Sequence, residues 1–352
     1  MAIWADDITD LTNATLENLG ENKITDIATT EVDYPACRTL LKKNKVSQSG
    51  GTSNKFNLIY QGDGNTKTTS MFGVDNIDHV DGTLKGDVPW RGVTTGMSYD
   101  VDEESINQGP REIFNFIKSK RYMRDISFVE AMEGYFWDGP SSSTDSLTPF
   151  GLLNYWLDYD ASTGFNGGNH TNFSGGPAGI DCATYSRWQH YTANYAAVSD
   201  SDLITKVRKA LRACAFKGIP SKPINDYSSG HRYAMYTTSD ILESLEAIAR
   251  SQNDNLGNEL AMYQDSTVIK RVPIEWVPYL QTNHATSDPF IGLDWGSIEV
   301  CALKNRWMVE SPFKEAPNQH TVRVSHLDCR FNIQMSDRRR QFLIAKSDPM
   351  SD

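Results

Sequence analysis

The sequence predicts an α+β chain organised along one long helix, and three observations carry that prediction. From Arg111 to Glu133 there is no Gly or Pro, and apolar residues recur there at helical spacing. Alternating segments of β character precede and follow this stretch, the longest at His320 to Ile333. Between Ser47 and Tyr99, Gly and polar residues dominate, and so little apolar content cannot build a separate globule.

The long helix is expected over 110–137. Pro110 suits its first position, where the missing N–H costs nothing, and Glu112 favours the first turn through the helix dipole. Ile113, Phe116 and Ile117, then Ile126, Val129, Met132 and Phe136, mark one stripe. Lys118, Lys120, Arg121 and Arg124 interrupt it, so only the two ends are expected to be dry. Such a helix rises about 40 Å, more than a compact domain of this size needs. It reads as a strut.

Ahead of the strut, short helices are expected at Ala14 to Leu19, stopped by Gly20, and at Ala36 to Lys43 after Pro35. This arm is expected to lie across something else, because it cannot bury a core alone. Strands are expected at Lys55 to Tyr60 and at Val93 to Tyr99, as the two legs of a long hairpin. Residues 50–98 should then take their shape from an adjoining copy. A chain that packed them on its own body in a compact unit, with no tendency to polymerise, would refute that expectation.

After the strut come loop regions at Asp138 to Ser146 and Gly164 to Asp181. Ser199 and Asp202 form a capping box for a helix whose face is Leu203, Val207, Ala210, Leu211 and Cys214, with Gly218 and Pro220 ending it. Tyr233 to Tyr236 reads as a strand. Thr237 and Asp240 open a helix with Ile241, Leu242, Leu245 and Ile248 inward. Val268 to Leu280 reads as extended, with Pro273 and Pro278 placing it at a sheet edge. Phe290 to Ala302, Arg306 to Val309, His320 to Ile333 and Gln341 to Ala345 complete the strands.

The totals restrict function. The 352 residues carry 34 Lys and Arg against 45 Asp and Glu, a net charge of -11. That disfavours nucleic acid or an anionic membrane as a bound partner. No apolar run approaches the roughly 18 residues of a membrane span, and Met1 to Asp7 lacks the pattern of a signal peptide. Cys37, Cys182, Cys214, Cys301 and Cys329 are odd in number and far apart, which fits reduced thiols.

Catalytic and metal motifs are scarce. Asp158, Asp160 and Ser162 imitate the start of a calcium loop, but Gly164 falls one place late and Asn169 stands where the twelfth position needs Glu. The seven histidines lack zinc spacing. Gly62-Asp-Gly64 is followed by no Gly-Lys-Ser/Thr, and no nucleophile elbow occurs. No cofactor, metal or catalytic residue is expected.

Several local signatures occur in a telling order. They are Trp137-Asp-Gly-Pro leading to Phe150-Gly-Leu-Leu-Asn, Gly175-Gly-Pro-Ala-Gly-Ile-Asp, Ser199-Asp-Ser-Asp-Leu-Ile with Phe216-Lys-Gly-Ile-Pro, and Val272-Pro-Ile-Glu-Trp-Val-Pro-Tyr-Leu with Asp288-Pro-Phe-Ile-Gly-Leu-Asp-Trp. With the order arm, hairpin, strut, α/β region and closing strands, the chain resembles the major capsid proteins of tailed bacteriophages. The resemblance implies the Hong Kong 97-type capsid fold: N-terminal arm 1–48, E-loop 49–99, P-domain 100–199 with its spine helix at 110–137, A-domain 200–312, and returning P-domain strands 313–352.

It further implies self-association into hexamers and pentamers of an icosahedral head that encloses double-stranded DNA without binding it specifically. The protein would be located in the virion after assembly in the host cytoplasm. Expected partners are further copies and a portal protein, with no membrane; scaffolding would come from a separate protein or from a removed segment, and a decoration protein is left open. Candidate intersubunit contacts are Phe56, Tyr60, Lys67, Lys85 and Trp90 in the loop, and the cluster Arg338, Arg339 and Arg340. Some relatives cross-link an E-loop lysine to an asparagine of the next subunit. For Lys67 and Lys85 no matching Asn or Glu can be located, and solvation or an intersubunit ion pair is the plainer reading. Two other readings remain: an encapsulin-like compartment of the same fold, and a carbohydrate-active module using exposed Trp and Asp in Asn154 to Tyr159.

Overall fold

Residues 34–43, 45–62, 64–71, 81–106, 110–214, 233–251, 267–270 and 272–351 are described by a computed structural model. The helix expected at Ala14 to Leu19 and the stop at Gly218 and Pro220 lie outside them. The first element, α1 (Pro35–Lys42), begins with Pro at N1 and buries Ala36, Cys37 and Leu40. These side chains join the main apolar core, so the arm does more than lie across the body. Strand β1 (Lys45–Gln48) follows.

The hairpin consists of β2 (Ser53–Ile59) and β3 (Thr83–Pro89), in register from Ser53 opposite Pro89 to Ile59 opposite Thr83. Its return leg is therefore β3 and not the segment Val93 to Tyr99. The sequence Thr-Leu-Lys-Gly-Asp-Val-Pro gave little sign of this, because Gly, Asp and Pro are depleted in strands. Gly86 is required by packing: a Cβ there would lie 2.4 Å from the Phe56 ring across the hairpin. Gly86→Ala is expected to displace Phe56 and cost about 1–3 kcal/mol of stability, measured by urea unfolding. An unchanged midpoint would mean that the ring moves freely.

Strand β4 (Arg91–Asp100) and the short α2 (Val101–Ile106) lead into α3 (Pro110–Trp137), the strut, with the bounds its sequence predicts. Its C-terminal half buries Phe128, Met132, Phe136 and Trp137, while Tyr122 and Met123 are exposed. Arg124 departs from the expected wet middle. It is buried, hydrogen-bonded to Asp125 and to Glu310, while Arg121 also reaches Glu310.

Beyond the strut, a turn of π geometry at Leu152–Trp156 is wholly buried. Then come β5 (Gly164–Gly167), β6 (His190–Asn194) and α4 (Thr205–Ala213), the last preceded by a π turn at Asp200–Ile204. Ser199 Oγ accepts from Asp202 N at 3.2 Å, as a cap should. The Asp202 carboxylate turns instead to Ala196 N and Ala197 N. A hydrogen bond from Lys206, together with these backbone bonds, holds it down at about 2.

Strand β7 (Tyr233–Thr237), α5 (Ser239–Ser251), β8 (Val268–Ile269) and β9 (Val272–Trp276) follow. Pro278 does not continue a strand. It opens α6 (Pro278–Asn283) at N1, a position proline favours. The remaining strands are β10 (Phe290–Asp294), β11 (Ile298–Leu303), β12 (Val309–Glu310), β13 (Lys314–Ala316), the 17-residue β14 (Gln319–Met335) and β15 (Phe342–Ala345). Of the strand expected at Arg306 to Val309, only its end is extended.

Two sheets organise these strands. In the six-stranded sheet, β1, β11, β14 and β12 are consecutive neighbours, and β4 and β13 also pair with β14. The seven-stranded sheet has the order β5-β6-β15-β10-β7-β9-β8. Its strands come from 164–194, 233–294 and 342–345, so the sheet crosses the boundaries expected at 200 and 312. One core joins the strut, α1 and the six-stranded sheet to one face of the seven-stranded sheet. On the other face α4 and α5 pack over Met235, Phe290, Phe342 and Ile344. No helix among the described residues is long and apolar enough to cross a membrane.

Candidate functional site

Among the described residues, several large apolar side chains left exposed lie on the hairpin and on the strut. The base of the hairpin, however, is anchored to its own body. Val88 is fully buried, and Phe56, Leu58 and Leu84 pack against the main core. Asn54 is buried and donates to Gln334 Oε1 and to Cys301 Sγ. Asn332 Nδ2 donates to Pro89 O at 2.7 Å, and β4 pairs with β14 from Arg91 to Asp100. The expectation that residues 50–98 need an adjoining copy for their shape is thus wrong for their greater part. A few apolar residues, each aimed at the body, suffice because the sheet behind them is already built.

The outer part of the hairpin is different. Ile59 is 85% exposed and Met71 is 88% exposed. Single exposed apolar side chains are ordinary on a protein surface, so these two mark no interface by themselves. Met123 and Tyr122 on the strut and Leu147 in the loop after it are exposed as well.

The expected contact residues divide. Phe56 is half-buried beneath Gly86. Tyr60 stands edge-on to Tyr185, and its carbonyl accepts from Arg187. Trp90 Nε1 donates to Gly51 O at 3.0 Å. These three serve the hairpin's own seating. Lys67 and Lys85 are exposed, with Lys85 opposite Asn57 in the hairpin register.

Arg338 does not face a neighbour. It is fully buried, and all five of its N–H donors are used within the chain. Nε donates to Trp156 O at 2.8 Å. Nη1 donates to Cys182 Sγ at 2.8 Å and to Trp188 O at 3.2 Å. Nη2 donates to Gly168 O at 3.2 Å and reaches His190 Nδ1 at 3.1 Å. Asp337 caps the 3-10 turn by accepting from Arg339 N, and that turn swings Arg338 inward while its neighbours stay outside. Arg339 lies over the Phe165 ring at 3.9 Å. Arg340 pairs with Asp337 and Asp294.

This buried charge sets its surroundings. Burial and the adjacent guanidinium keep His190 well below the ordinary imidazole range, hence neutral, with Nδ1 as acceptor. Asp158, close to Arg338, is pushed up to about 6, because burial outweighs the guanidinium's pull. A folded value above the unfolded one means that folding takes up a proton between about pH 4 and pH 6. The stabilisation is present in full below about pH 4 and lost as pH rises through about 6, up to about 3 kcal/mol in all. Asp158→Asn should therefore grow more stable relative to the parent as pH rises from 4 to 7, in urea titrations at each pH. A difference independent of pH would refute the assignment.

The same region disposes of the carbohydrate reading. Asn154, Tyr155 and Trp156 are buried, so they offer no platform to a sugar ring. Asp160 Oδ1 accepts from Ser162 N at 2.7 Å within a turn. Among the described residues no group of three or more His, Cys, Asp or Glu could hold a metal ion. All five cysteines are buried and free, and burial, first among the causes, pushes Cys37, Cys214 and Cys301 up to about 12.

No family model matches the chain, and no curated protein matches it by sequence. Solved structures do. The chain is similar to a chain of the cyanophage A-1(L) capsid asymmetric unit, with a TM-score of 0.61 and 14% identity, over 96% of this chain and 99% of that one. It is similar to the capsid of an empty GTA particle, with a TM-score of 0.55 and 9% identity over 92% and 99%. It is also similar to a chain of Mycobacterium phage Bobi, with a TM-score of 0.54 and 9% identity over 94% and 97%. The hairpin, the strut and the two sheets thus make up the Hong Kong 97-type capsid fold.

Proposed function

We propose that this chain is the major capsid protein of a tailed bacteriophage, and that its copies associate into hexamers and pentamers of an icosahedral head around double-stranded DNA. The observation that carries the reading is a likeness spanning nearly the full length of both this chain and the matched chain of the cyanophage A-1(L) capsid. The acidic balance supports it, since a shell must not adhere to the DNA it holds. The role is structural and the location is the virion, reached after assembly in the host cytoplasm. A portal protein is an expected partner.

Negative-stain microscopy of the full chain expressed in bacterial cells tests this. Shells or rings are expected, and nucleic acid inside shells separates a phage head from a cargo compartment. A monomer at every concentration would overturn the reading. Ile59→Ser with Met71→Ser should leave unfolding within about 0.5 kcal/mol of the parent, as surface changes do, yet reduce particle yield severely.

A further inference from the structure

Two helices on one face of the seven-stranded sheet carry opposite charge. Helix α4 holds Lys206, Arg208, Lys209 and Arg212 and no acid. Helix α5 holds Asp240, Glu243 and Glu246 and no base before Arg250. Helix α4 packs against β6 and β15, while α5 packs against β9. Strands β10 and β7 lie between β15 and β9, so about 14 Å of sheet separates the two flanks.

Internal pairing consumes only part of this charge. Lys206 pairs with Asp202 at 2.6 Å, and Arg208 with Asp200 at 3.5 Å. Among the described residues Lys209, Arg212, Asp240 and Glu243 make no ion pair, and all four are exposed. Lys270 adds to the basic side, donating from Nζ to Arg208 O at 3.4 Å. Trp276, 42% exposed at the end of β9, adds an aromatic anchor to the acidic side. The helix dipole accounts for Arg212 and Asp240 near helix ends, but not for Lys209 or Glu243 in the middle, while Glu246 accepts from Thr267 Oγ1 at 3.5 Å.

We propose that these helices are the two halves of a head-to-tail contact, in which α4 of one copy meets α5 of the next around a ring. Two different patches on one molecule, complementary to each other, define a heterologous interface, which generates a ring when the rotation closes. Complementary charge fixes its direction and rejects α4 against α4 or α5 against α5. The proposal rests on the capsid reading and identifies what makes one capsid ring polar.

Charge reversal tests it, with circular dichroism confirming each folded chain and sedimentation velocity and microscopy reading assembly. Lys209→Glu with Arg212→Glu should require at least tenfold more protein to form rings, and Asp240→Lys with Glu243→Lys the same. The chain carrying all four changes should assemble like the parent. A mixture of the two half-reversed chains must alternate around a ring, so it should form six-membered rings but no closed shell, because five positions cannot alternate. Half-reversed chains that form shells as the parent does would overturn the proposal and leave the capsid reading standing. Failure of the parent itself to assemble would remove both.

Discussion

Replacing Arg338 by Met is expected to cost about 3–5 kcal/mol, a large share of the roughly 5–15 kcal/mol that holds a domain folded. Met keeps the apolar stem but is shorter than Arg, so a small void adds to the lost hydrogen bonds. Trp156 O, Gly168 O, Trp188 O, Cys182 Sγ and His190 Nδ1 would all lose their donor in a dry interior. A buried acceptor stripped of its partner loses the full desolvation cost, not the small net value of a hydrogen bond. Lys at this position should recover only part of the loss, since a point charge with three donors cannot span a five-donor fork.

The companion arginines supply the control. Arg340→Met removes a half-exposed pair to Asp337 and a 3.4 Å contact to the buried Asp294, whose other oxygen keeps its bond from Gly296 N, and should cost less, about 1–2 kcal/mol. Urea unfolding of the three variants gives the comparison. Equal losses at 338 and 340 would mean that the triplet acts as a charged surface patch, as its sequence suggests.

The effect has a structural reason. Between Gly139 and His190 the chain has little regular structure, so its carbonyls lack the partners that a sheet or helix would give them. Arg338 satisfies three of these from one point and ties the loops to the turn ahead of β15.

That asymmetry explains what was legible in the sequence. The strut, β14 and the faces of α4 and α5 were readable because a long element repeats its apolar positions many times. The hairpin's second leg was not, because β3 is two-sided, polar and interrupted by Gly86. Nor could pairing of β6 with β15 be seen, for parallel strands so distant in the chain leave no local trace. Arg338 was misplaced for a related reason. Three consecutive arginines look alike in sequence, and only the turn capped by Asp337 decides which points inward.

Glu133 was invisible in the same way, and its removal should produce the second large effect. Sitting in the strut among apolar residues and 1% exposed, it receives Cys37 N at 2.7 Å on one oxygen. The other oxygen accepts from Ala36 N at 3.3 Å and from Trp137 Nε1 at 2.7 Å. Ala36 and Cys37 supply first-turn N–H groups of α1, which no helical carbonyl can satisfy, and a carboxylate there also meets the favourable end of the dipole. Glu133 therefore docks the arm onto the end of the strut. Glu133→Gln keeps the shape but turns one acceptor into a donor facing donors, at a cost of about 2 kcal/mol. Because α1 touches the body along one face only, the loss should appear first as local opening, not as global unfolding. The thiol of Cys37, fully buried in the parent, reports that opening. Its labelling rate, followed peptide by peptide in native buffer, should rise about thirtyfold, the factor equivalent to about 2 kcal/mol. Labelling of Cys214, which lies in the other core, should stay constant. If both cysteines accelerate together, the carboxylate supports the whole fold and the arm is not a separate unit.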